Sequence, residues 1–200
     1  MKSIDLYLVR HGNTFDSGQK IVWVGSKENP PLTSHGRAQA RSVATYFKTK
    51  EIIPQSVYSG PLLRATQFAY IIAEETKFSD QVQISHALNE LDYGDWSGKS
   101  NEEIIAAHGE RKFKDWDERG IWPDGCSWGS DQQTIINETK KFISSLTSAS
   151  VLAVTSNGRL RFFARLAGIE RPEKVKTGHL CHLQLSADSI KVVSWNIVTD

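Results

Sequence analysis

Residues Leu6-Tyr7-Leu8-Val9-Arg10-His11-Gly12-Asn13-Thr14 indicate both the architecture and the chemistry that we expect of this chain. Its first four residues are apolar, as in a buried strand, and an arginine, a histidine and a glycine follow directly. In open α/β sheets, ligands bind at the carboxyl ends of the strands. A histidine there can act as a nucleophile, and a neighbouring arginine can hold a phosphate by two parallel hydrogen bonds. For a single histidine, hydrogen bonding to the backbone is the more common explanation, but the rest of the sequence favours the nucleophile.

Three later segments fit the same arrangement. One follows a second apolar run and opens a helical pattern, one is an acidic loop with interspersed glycines, and one is a strand that ends in a glycine turn. They are, in that order, Ser59-Gly60-Pro61-Leu62-Leu63-Arg64-Ala65, Leu88-Asn89-Glu90-Leu91-Asp92-Tyr93-Gly94-Asp95-Trp96-Ser97-Gly98 and Val151-Leu152-Ala153-Val154-Thr155-Ser156-Asn157-Gly158.

With the pattern Pro31-Leu32-Thr33, Gly36 and Gln39-Ala40 between them, these motifs resemble the histidine phosphatase superfamily, in its phosphoglycerate mutase-like branch. The resemblance covers most of the chain, from about Leu6 to Arg165. One position departs from the pattern. The family places a second histidine before the glycine of the last motif, and this chain has Asn157 there.

The composition excludes several other classes of protein. Of the 200 residues, 39% are hydrophobic and 24% are charged, as in an ordinary globular domain. A net charge of +1 gives no electrostatic reason to expect a nucleic-acid or membrane partner. The N-terminal residues contain no secretory apolar segment, since Asp5 and Arg10 would interrupt it. The two cysteines, Cys126 and Cys181, form neither a disulfide framework nor a metal-binding spacing, which favours the cytoplasm and no cofactor.

Apolar runs and helical patterns alternate along the chain, which predicts an α/β fold. We expect strands in the runs 4–9, 52–58, 82–88, 151–155, 180–185 and 190–195. A helix should begin after Thr33 or Ser34, and three others should follow Leu62, Ile135 and Leu160. Together they predict a three-layer α/β/α sandwich of the phosphoglycerate mutase type, with a mostly parallel sheet and an antiparallel hairpin at one edge.

The region at about 97–130 interrupts this alternation. It contains a short helical pattern, then charged and aromatic residues, and then a loop rich in glycine and tryptophan. We interpret it as an inserted helical and loop cover over the site. The prediction is therefore a single domain that spans residues 1–200.

The resemblance implies a role for each motif residue. His11 would be the nucleophile that forms a phosphohistidine, Arg10 and Arg64 would hold the phosphoryl oxygens, and Glu90 would protonate the leaving oxygen. Asn13 and Thr14 could donate to the same phosphate, although turn or helix-cap chemistry is an alternative for both. We also assign substrate binding to Gly25, Ser26 and Gly158.

Asn157 leaves two hypotheses open. Where a protonated histidine would bring a positive charge, asparagine offers a neutral amide, and loss of one transition-state donor typically costs about 10²–10³ in rate. The chain is then either an attenuated phosphomonoesterase or a phosphate-binding pseudoenzyme without turnover. Asn157 also stands beside Gly158 at an expected helix N-terminus, a natural site for an anion.

The expected partner is a small-molecule phosphate ester, and a homodimer is left open. Phosphoglycerate mutase-type transfer is an alternative, but mutases of this family are usually longer and cover the site to exclude water. The near-neutral aromatic region predicts a monophosphate with an apolar or aromatic body, stacked on a tryptophan such as Trp23, Trp122 or Trp128. The alternative is that these tryptophans only pack the insertion.

Overall fold

The structure, a computed structural model, describes residues 3–199. Met1, Lys2 and Asp200, at the two ends of the predicted domain, lie outside the described residues. Six strands occur within 3–199: β1 Ile4–Arg10, β2 Ser56–Ser59, β3 Gln83–Ile84, β4 Ser150–Thr155, β5 Leu180–Leu185 and β6 Ile190–Ile197. The same part of the chain forms six α-helices: α1 Ser34–Thr49, α2 Leu63–Glu75, α3 Asn101–His108, α4 Glu110–Asp117, α5 Gln132–Ser145 and α6 Asn157–Leu166.

The strands form one sheet in the order β3-β2-β4-β1-β5-β6. β1 is parallel to β4, and β2 is parallel to both β4 and β3. β5 runs antiparallel to β1 and forms an antiparallel hairpin with β6 at the edge. Because Arg10 pairs with Thr155, the carboxyl ends of β1 and β4 lie side by side. The predicted mixed sheet with an edge hairpin is confirmed.

Alternation along β1 divides the core into two layers. Tyr7 and Val9 contact the face covered by α1 and α2, where the buried residues include Phe47 and Phe68. Leu6 and Leu8 point to the opposite face and pack against Phe142, Leu160 and Phe163 of α5 and α6. Successive side chains of a strand point to opposite faces, so both faces of this buried strand require apolar residues. The three-layer prediction is confirmed.

A threonine caps the N-terminus of α1. The hydroxyl of Thr33 accepts a hydrogen bond from the N–H of Gly36 at 3.0 Å, so Thr33 caps the helix and Ser34 is its first residue. Such a cap satisfies an N–H group that has no partner within the helix. The cap fixes the path of the chain from the cleft into α1.

Two strands are shorter than the apolar runs predict. The run 52–58 pairs only from Ser56, because Glu51 takes a φ of +53° and Pro54 has no N–H to donate. In the run 82–88 only Gln83 and Ile84 pair, with Tyr58 and Ser59 at the carboxyl end of β2. The remainder of that run forms a short 3₁₀ turn over His86–Leu88.

The interrupting region contains α3 and α4, separated by Gly109 at a φ of +87°. An aromatic cluster joins these helices to the rest of the molecule. It is built from Leu91, Tyr93, Trp96, Ile104, Phe113, Trp116, Ile135 and Phe162. No helix within residues 3–199 is long and apolar enough to cross a membrane.

Candidate active site

A cleft of about 300 Å³ lies at the carboxyl ends of β1 and β4. Four separate parts of the chain bring their motif residues to it: the end of β1, the first turn of α2, the loop after Leu88, and the junction of β4 with α6. The motif residues that line the cleft are Arg10, His11, Asn13, Thr14, Arg64, Glu90 and Asn157, and Gly25, also expected to bind substrate, joins them from the loop before α1. The sheet edge therefore collects the motifs as the sequence predicts.

Hydrogen bonds define the state of the His11 imidazole. Its Nδ1 lies 2.8 Å from the carbonyl oxygen of Gly12, and because a carbonyl only accepts, Nδ1 carries the proton. Nε2 then carries the lone pair, and the Nε–H of Arg64 donates to it at 3.2 Å. Burial, followed by the positive charges of Arg64 and Arg10, holds the pKa of His11 well below its usual value. The residue is thus a neutral imidazole with a nucleophilic nitrogen.

Two arginines flank this imidazole. Arg64 donates through Nη2 to the carbonyl of Gly25 at 2.7 Å and through Nη1 to that of Glu28 at 3.0 Å. Arg10 donates through Nη1 to the carbonyl of Val175 at 2.6 Å. Its Nε is buried and has no hydrogen-bond partner among residues 3–199. The backbone thus holds both guanidinium groups in place beside His11, which suits an anion that would bind there.

Glu90 lies between the loop and the start of α6. Its Oε1 accepts from the N–H of Leu91 at 2.9 Å. A Cβ atom at Gly158 would meet this Oε1 and the Tyr93 hydroxyl, each at 2.4 Å. Gly158 therefore lets the carboxylate and the phenol approach the helix N-terminus, and it does not itself line the cleft. Burial and the adjacent Glu90 carboxylate raise the pKa of Tyr93 well above its usual value.

Asn157 is the first residue of α6 and lines the cleft. Its side-chain oxygen accepts from the N–H of Val175 at 2.9 Å. Because a backbone N–H can only donate, the Oδ1 faces Val175 and the Nδ2 amide group is left for the cleft. The residue supplies a neutral hydrogen-bond donor at the helix N-terminus.

Besides Gly158, a second predicted binding residue lies outside the cleft lining. Ser26 does not line the cleft, and its N–H donates to the carbonyl of Leu91 at 2.9 Å. The turn before it explains this, since Gly25 takes a φ of +65° and presents its carbonyl oxygen to Arg64. Ser26 thus joins two loops and does not reach the cleft.

Sequence reasoning missed several residues that line the cleft: Phe15, Ile21, Val22, Tyr93, Asn101, Asp117, Lys174 and Thr177. Thr177 could have been found from strand direction. It precedes β5, which is antiparallel to β1, so the residues before β5 must lie beside the carboxyl end of β1. Tyr93 lies in the acidic motif loop, but the motif predicts a role for a carboxylate of that loop and not for its phenol.

The tryptophans divide into two groups. Trp23 lines the cleft, and its Nε1–H donates to Asn101 at 2.8 Å. Trp122 and Trp128 pack against each other in the aromatic cluster, with ring centroids 4.8 Å apart. Of the three tryptophans expected to stack a substrate, only Trp23 is positioned to do so, and the other two pack the insertion.

Comparison with known proteins agrees with this geometry. The family model described as "Histidine phosphatase superfamily (branch 1)" matches residues 6–198. The 2,3-bisphosphoglycerate-dependent phosphoglycerate mutase of Parvibaculum lavamentivorans is 33% identical over 112 residues, which are 56% of this chain and 52% of that protein. Phosphoglycerate mutase 1 of Saccharomyces cerevisiae is 34% identical over 111 residues, 54% of this chain and 43% of that protein. These matches span about half the length of each curated relative.

Similar folds are found over nearly the whole chain. "Mycobacterial hydrolase 1" superposes with a TM-score of 0.82 at 20% identity and covers 98% of this chain and 99% of its own. The α-ribazole phosphatase from Shigella flexneri gives a TM-score of 0.73 at 23% identity, with 97% and 96% covered. A mycobacterial glucosyl-3-phosphoglycerate phosphatase in complex with VO₃ gives 0.78 at 19% identity, with 99% and 100% covered. At these identities the likeness establishes the fold.

Proposed function

The chain belongs to the histidine phosphatase superfamily, branch 1, and from this we propose that it is a phosphomonoesterase that acts on a small-molecule phosphate through a phosphohistidine at His11. The observation that most supports the proposal is which nitrogen of the His11 imidazole carries the proton and which carries the lone pair. Its Nδ1 proton is bound to the carbonyl of Gly12, and its Nε2 lone pair lies beside the guanidinium of Arg64. This arrangement supports attack on a phosphoryl group that both arginines hold.

The proposed reaction has two steps. In the first, the Glu90 carboxylate takes up a proton as the anionic ester enters the cleft, Nε2 of His11 bonds to phosphorus as the ester P–O bond breaks, and Glu90 gives that proton to the departing oxygen. In the second, water attacks the same phosphorus, the P–N bond breaks, and the Glu90 carboxylate takes the proton of the water. Arg10 and Arg64 stabilise the charge on the equatorial oxygens in both steps. No cofactor enters either step.

Hydrolysis of an aryl phosphate tests this assignment. His11→Gln removes the nucleophilic nitrogen and retains a polar side chain, so we expect kcat to fall by at least about 10³. His35→Gln, at an exposed position of α1, is the matched control and should leave kcat unchanged. If His11→Gln hydrolyses the ester as fast as the unaltered protein does, His11 is not the nucleophile.

The position of Asn157 favours a second candidate, a phosphate-binding module without turnover. The side-chain oxygen of Asn157 is bound to Val175, so only a neutral amide faces the cleft. We expect the unaltered protein to hydrolyse aryl phosphates, and Asn157→His to raise kcat by about 10–10³ by adding a positive donor. Turnover by the variant alone would establish the binding module. Equal rates would show that position 157 needs no cation.

The walls of the cleft mouth support a class of substrate. Part of the lining is apolar and consists of Phe15, Ile21, Val22 and Trp23, and Asp117 also lines the cleft with its carboxylate paired to Lys174 at 2.5 Å. Apart from Arg10 and Arg64, Lys174 is the one lysine or arginine among the described lining residues, and it is paired with Asp117 instead of being free for a second phosphate. Apolar surface favours an apolar body. The proposed substrate is therefore a monophosphate ester with an apolar or aromatic leaving group.

A substrate panel separates this class from the mutase alternative, which the curated relatives favour. We expect kcat/KM for aryl and nucleoside monophosphates to exceed that for phosphoglycerates and sugar bisphosphates by about tenfold or more. Net transfer between the positions of phosphoglycerate would support the mutase. The proposed compartment is the cytoplasm, which is consistent with two free cysteines, Cys126 and Cys181.

A further inference from the structure

One segment, Val175–Gly178, contacts three side chains of the cleft. The carbonyl of Val175 accepts from Arg10 at 2.6 Å, and its N–H donates to the side-chain oxygen of Asn157 at 2.9 Å. Two residues later, the hydroxyl of Thr177 donates to the side-chain oxygen of Asn13 at 2.5 Å. The segment, which we call the 175–178 strap, therefore joins the end of β1 to the start of α6 through the groups that line the cleft.

The Thr177 contact closes a ring of hydrogen bonds with Gln39 of α1. The N–H of Asn13 donates to Oε1 of Gln39 at 2.9 Å, and because a backbone N–H only donates, this contact fixes which end of the Gln39 amide faces Asn13. The Nε2 group of Gln39 then donates to the carbonyl of Thr177 at 3.1 Å and to its hydroxyl at 3.3 Å. The Thr177 hydroxyl accepts this hydrogen bond from Gln39 and donates its own O–H to Oδ1 of Asn13.

Both asparagines thereby present the same group to the cleft. The oxygen of Asn13 is bound to Thr177, and the oxygen of Asn157 is bound to Val175. What remains on each is an NH₂ group, a donor that suits an anion. Rotation of either amide by 180° would bring an oxygen lone pair towards the same anion. Because the strap binds both amide oxygens, it keeps an NH₂ donor directed to the anion at these two positions.

The strap is held closely against α1. Gly178 has a φ of +77°, and a Cβ atom there would lie 2.9 Å from Cβ of Gln39. Its N–H donates to the carbonyl of Arg10 at 3.0 Å. This packing keeps Thr177 within reach of both Gln39 and Asn13, so the ring depends on tertiary structure and not on local sequence.

We propose that Thr177 is a positioning residue: through its ring with Gln39 it fixes the amide of Asn13 as a donor to a phosphoryl oxygen, beside the amide of Asn157. The proposal rests on the proposed function, since it takes a phosphoryl group to be the occupant of the cleft. Hydrogen bonds to charged groups are stronger than those between neutral groups, so loss of the orientation is expected to weaken anion binding measurably.

Calorimetric titration with inorganic phosphate tests the proposal without requiring turnover. Thr177→Val removes the hydroxyl and keeps the shape, and we expect its dissociation constant to rise by roughly tenfold. Thr177→Ser keeps the hydroxyl and should bind within about threefold of the unaltered protein. Thr199→Val is the control, because the Thr199 hydroxyl donates to the carbonyl of Gly178 in the same strap and, among residues 3–199, forms no hydrogen bond with a cleft side chain. It should bind phosphate as the unaltered protein does.

A second readout separates orientation from folding. In a phosphate titration followed by NMR, the side-chain NH₂ signals of Asn13 should shift in the unaltered protein and in Thr177→Ser, but not in Thr177→Val. Thr177→Ala also lacks the hydroxyl but has a smaller side chain, so it separates loss of the hydroxyl from any disturbance of packing by valine. Equal phosphate binding by Thr177→Val, Thr177→Ala and the unaltered protein would overturn the positioning role of Thr177 and leave the proposed function intact. If the unaltered protein does not bind phosphate, both the positioning role of Thr177 and the proposed function are overturned.

Discussion

Three influences act together on the imidazole of His11: its burial and the guanidinium groups of Arg64 and Arg10. Each of them disfavours the imidazolium, and the hydrogen bond to the carbonyl of Gly12 opposes them only in part. The same burial lowers the pKa of both arginines, while the Glu90 carboxylate opposes that effect. A neutral nucleophile between two cations is therefore a property of the folded site.

This arrangement predicts how stability depends on pH. The pKa of His11 lies well below 6.5 in the folded protein, so above pH 6.5 the imidazole is neutral in both states and has no effect. Below it, the unfolded chain binds a proton that the folded protein does not, and stability falls by up to about 1.4 kcal/mol per pH unit. His11→Gln should lose less unfolding free energy than the unaltered protein between pH 7.5 and 5.5, as measured in urea. His35→Gln is the control and should follow the unaltered protein. If His11→Gln and the unaltered protein show an identical pH dependence, the pKa of His11 is not lowered in the folded protein.

Five of the predicted site residues line one cleft, and the sequence could bring them together because each stands in a quoted motif: Arg10, His11, Arg64, Glu90 and Asn157. Thr177 stands in no motif, and only the antiparallel direction of β5 could have indicated that it reaches the cleft. Tyr93 stands in the same motif as Glu90, but that its hydroxyl lies beside the Glu90 carboxylate depends on how the loop packs against α6.

At the scale of elements, two glycines let α1 lie directly on the loop that carries the nucleophile. A Cβ atom at Gly36 would stand 2.3 Å from the carbonyl oxygen of Asn13, and one at Gly12 would stand 2.5 Å from that of Gly36. The helix N-terminus therefore packs backbone to backbone against residues 12–13. This contact fixes the distance between α1 and the cleft.

Gly36→Ala tests this contact. In a free helix, alanine is more favourable than glycine by about 1 kcal/mol, but here the methyl group would collide with backbone that cannot give way. We expect the unfolding free energy to fall by roughly 1–3 kcal/mol and the affinity for phosphate to decrease. Thr45→Ala, at an exposed position of the same helix, should change stability by no more than about 0.5 kcal/mol. A stabilised Gly36→Ala variant would show that the contact is not tight.

The patterns predict the elements well where burial is uniform. β1, β4 and β5 match their apolar runs almost residue by residue, since each of these strands is buried within the sheet. At the opposite edge, β3 pairs with only two of the four residues of β2. That number depends on pairing between strands, which no local pattern contains.

At the scale of the whole molecule, the aromatic cluster connects α3 and α4 to the cleft and to α6. Trp116 is only 1% exposed, and its ring lies 5.0 Å from that of Trp128 and 4.9 Å from the guanidinium carbon of Arg161. Arg161 is itself buried, and two of its nitrogens have no hydrogen-bond partner among the described residues. The indole face therefore compensates in part for a buried charge.

Trp116→Ala should be strongly destabilising. It opens a cavity and leaves the guanidinium of Arg161 without the ring, and together these should cost about 3–5 kcal/mol in urea unfolding. Trp195→Ala removes a half-buried indole of the edge strand β6 and should cost clearly less. Equal losses in the two variants would show that the cluster is not a main support of the molecule. The sequence indicates an aromatic insertion, but which rings face the core and which face the cleft depends on how α3 and α4 pack.

The central claim is that His11 becomes covalently phosphorylated, and trapping the intermediate tests it most directly. The protein would be mixed with an aryl phosphate labelled with ³²P, denatured within milliseconds in alkaline detergent, and separated from the substrate. We predict label on the protein that resists alkali and is lost in acid, as expected for a phosphoramidate, and none on His11→Gln. Absence of label from the unaltered protein under conditions of turnover, or label that persists in His11→Gln, would contradict the account.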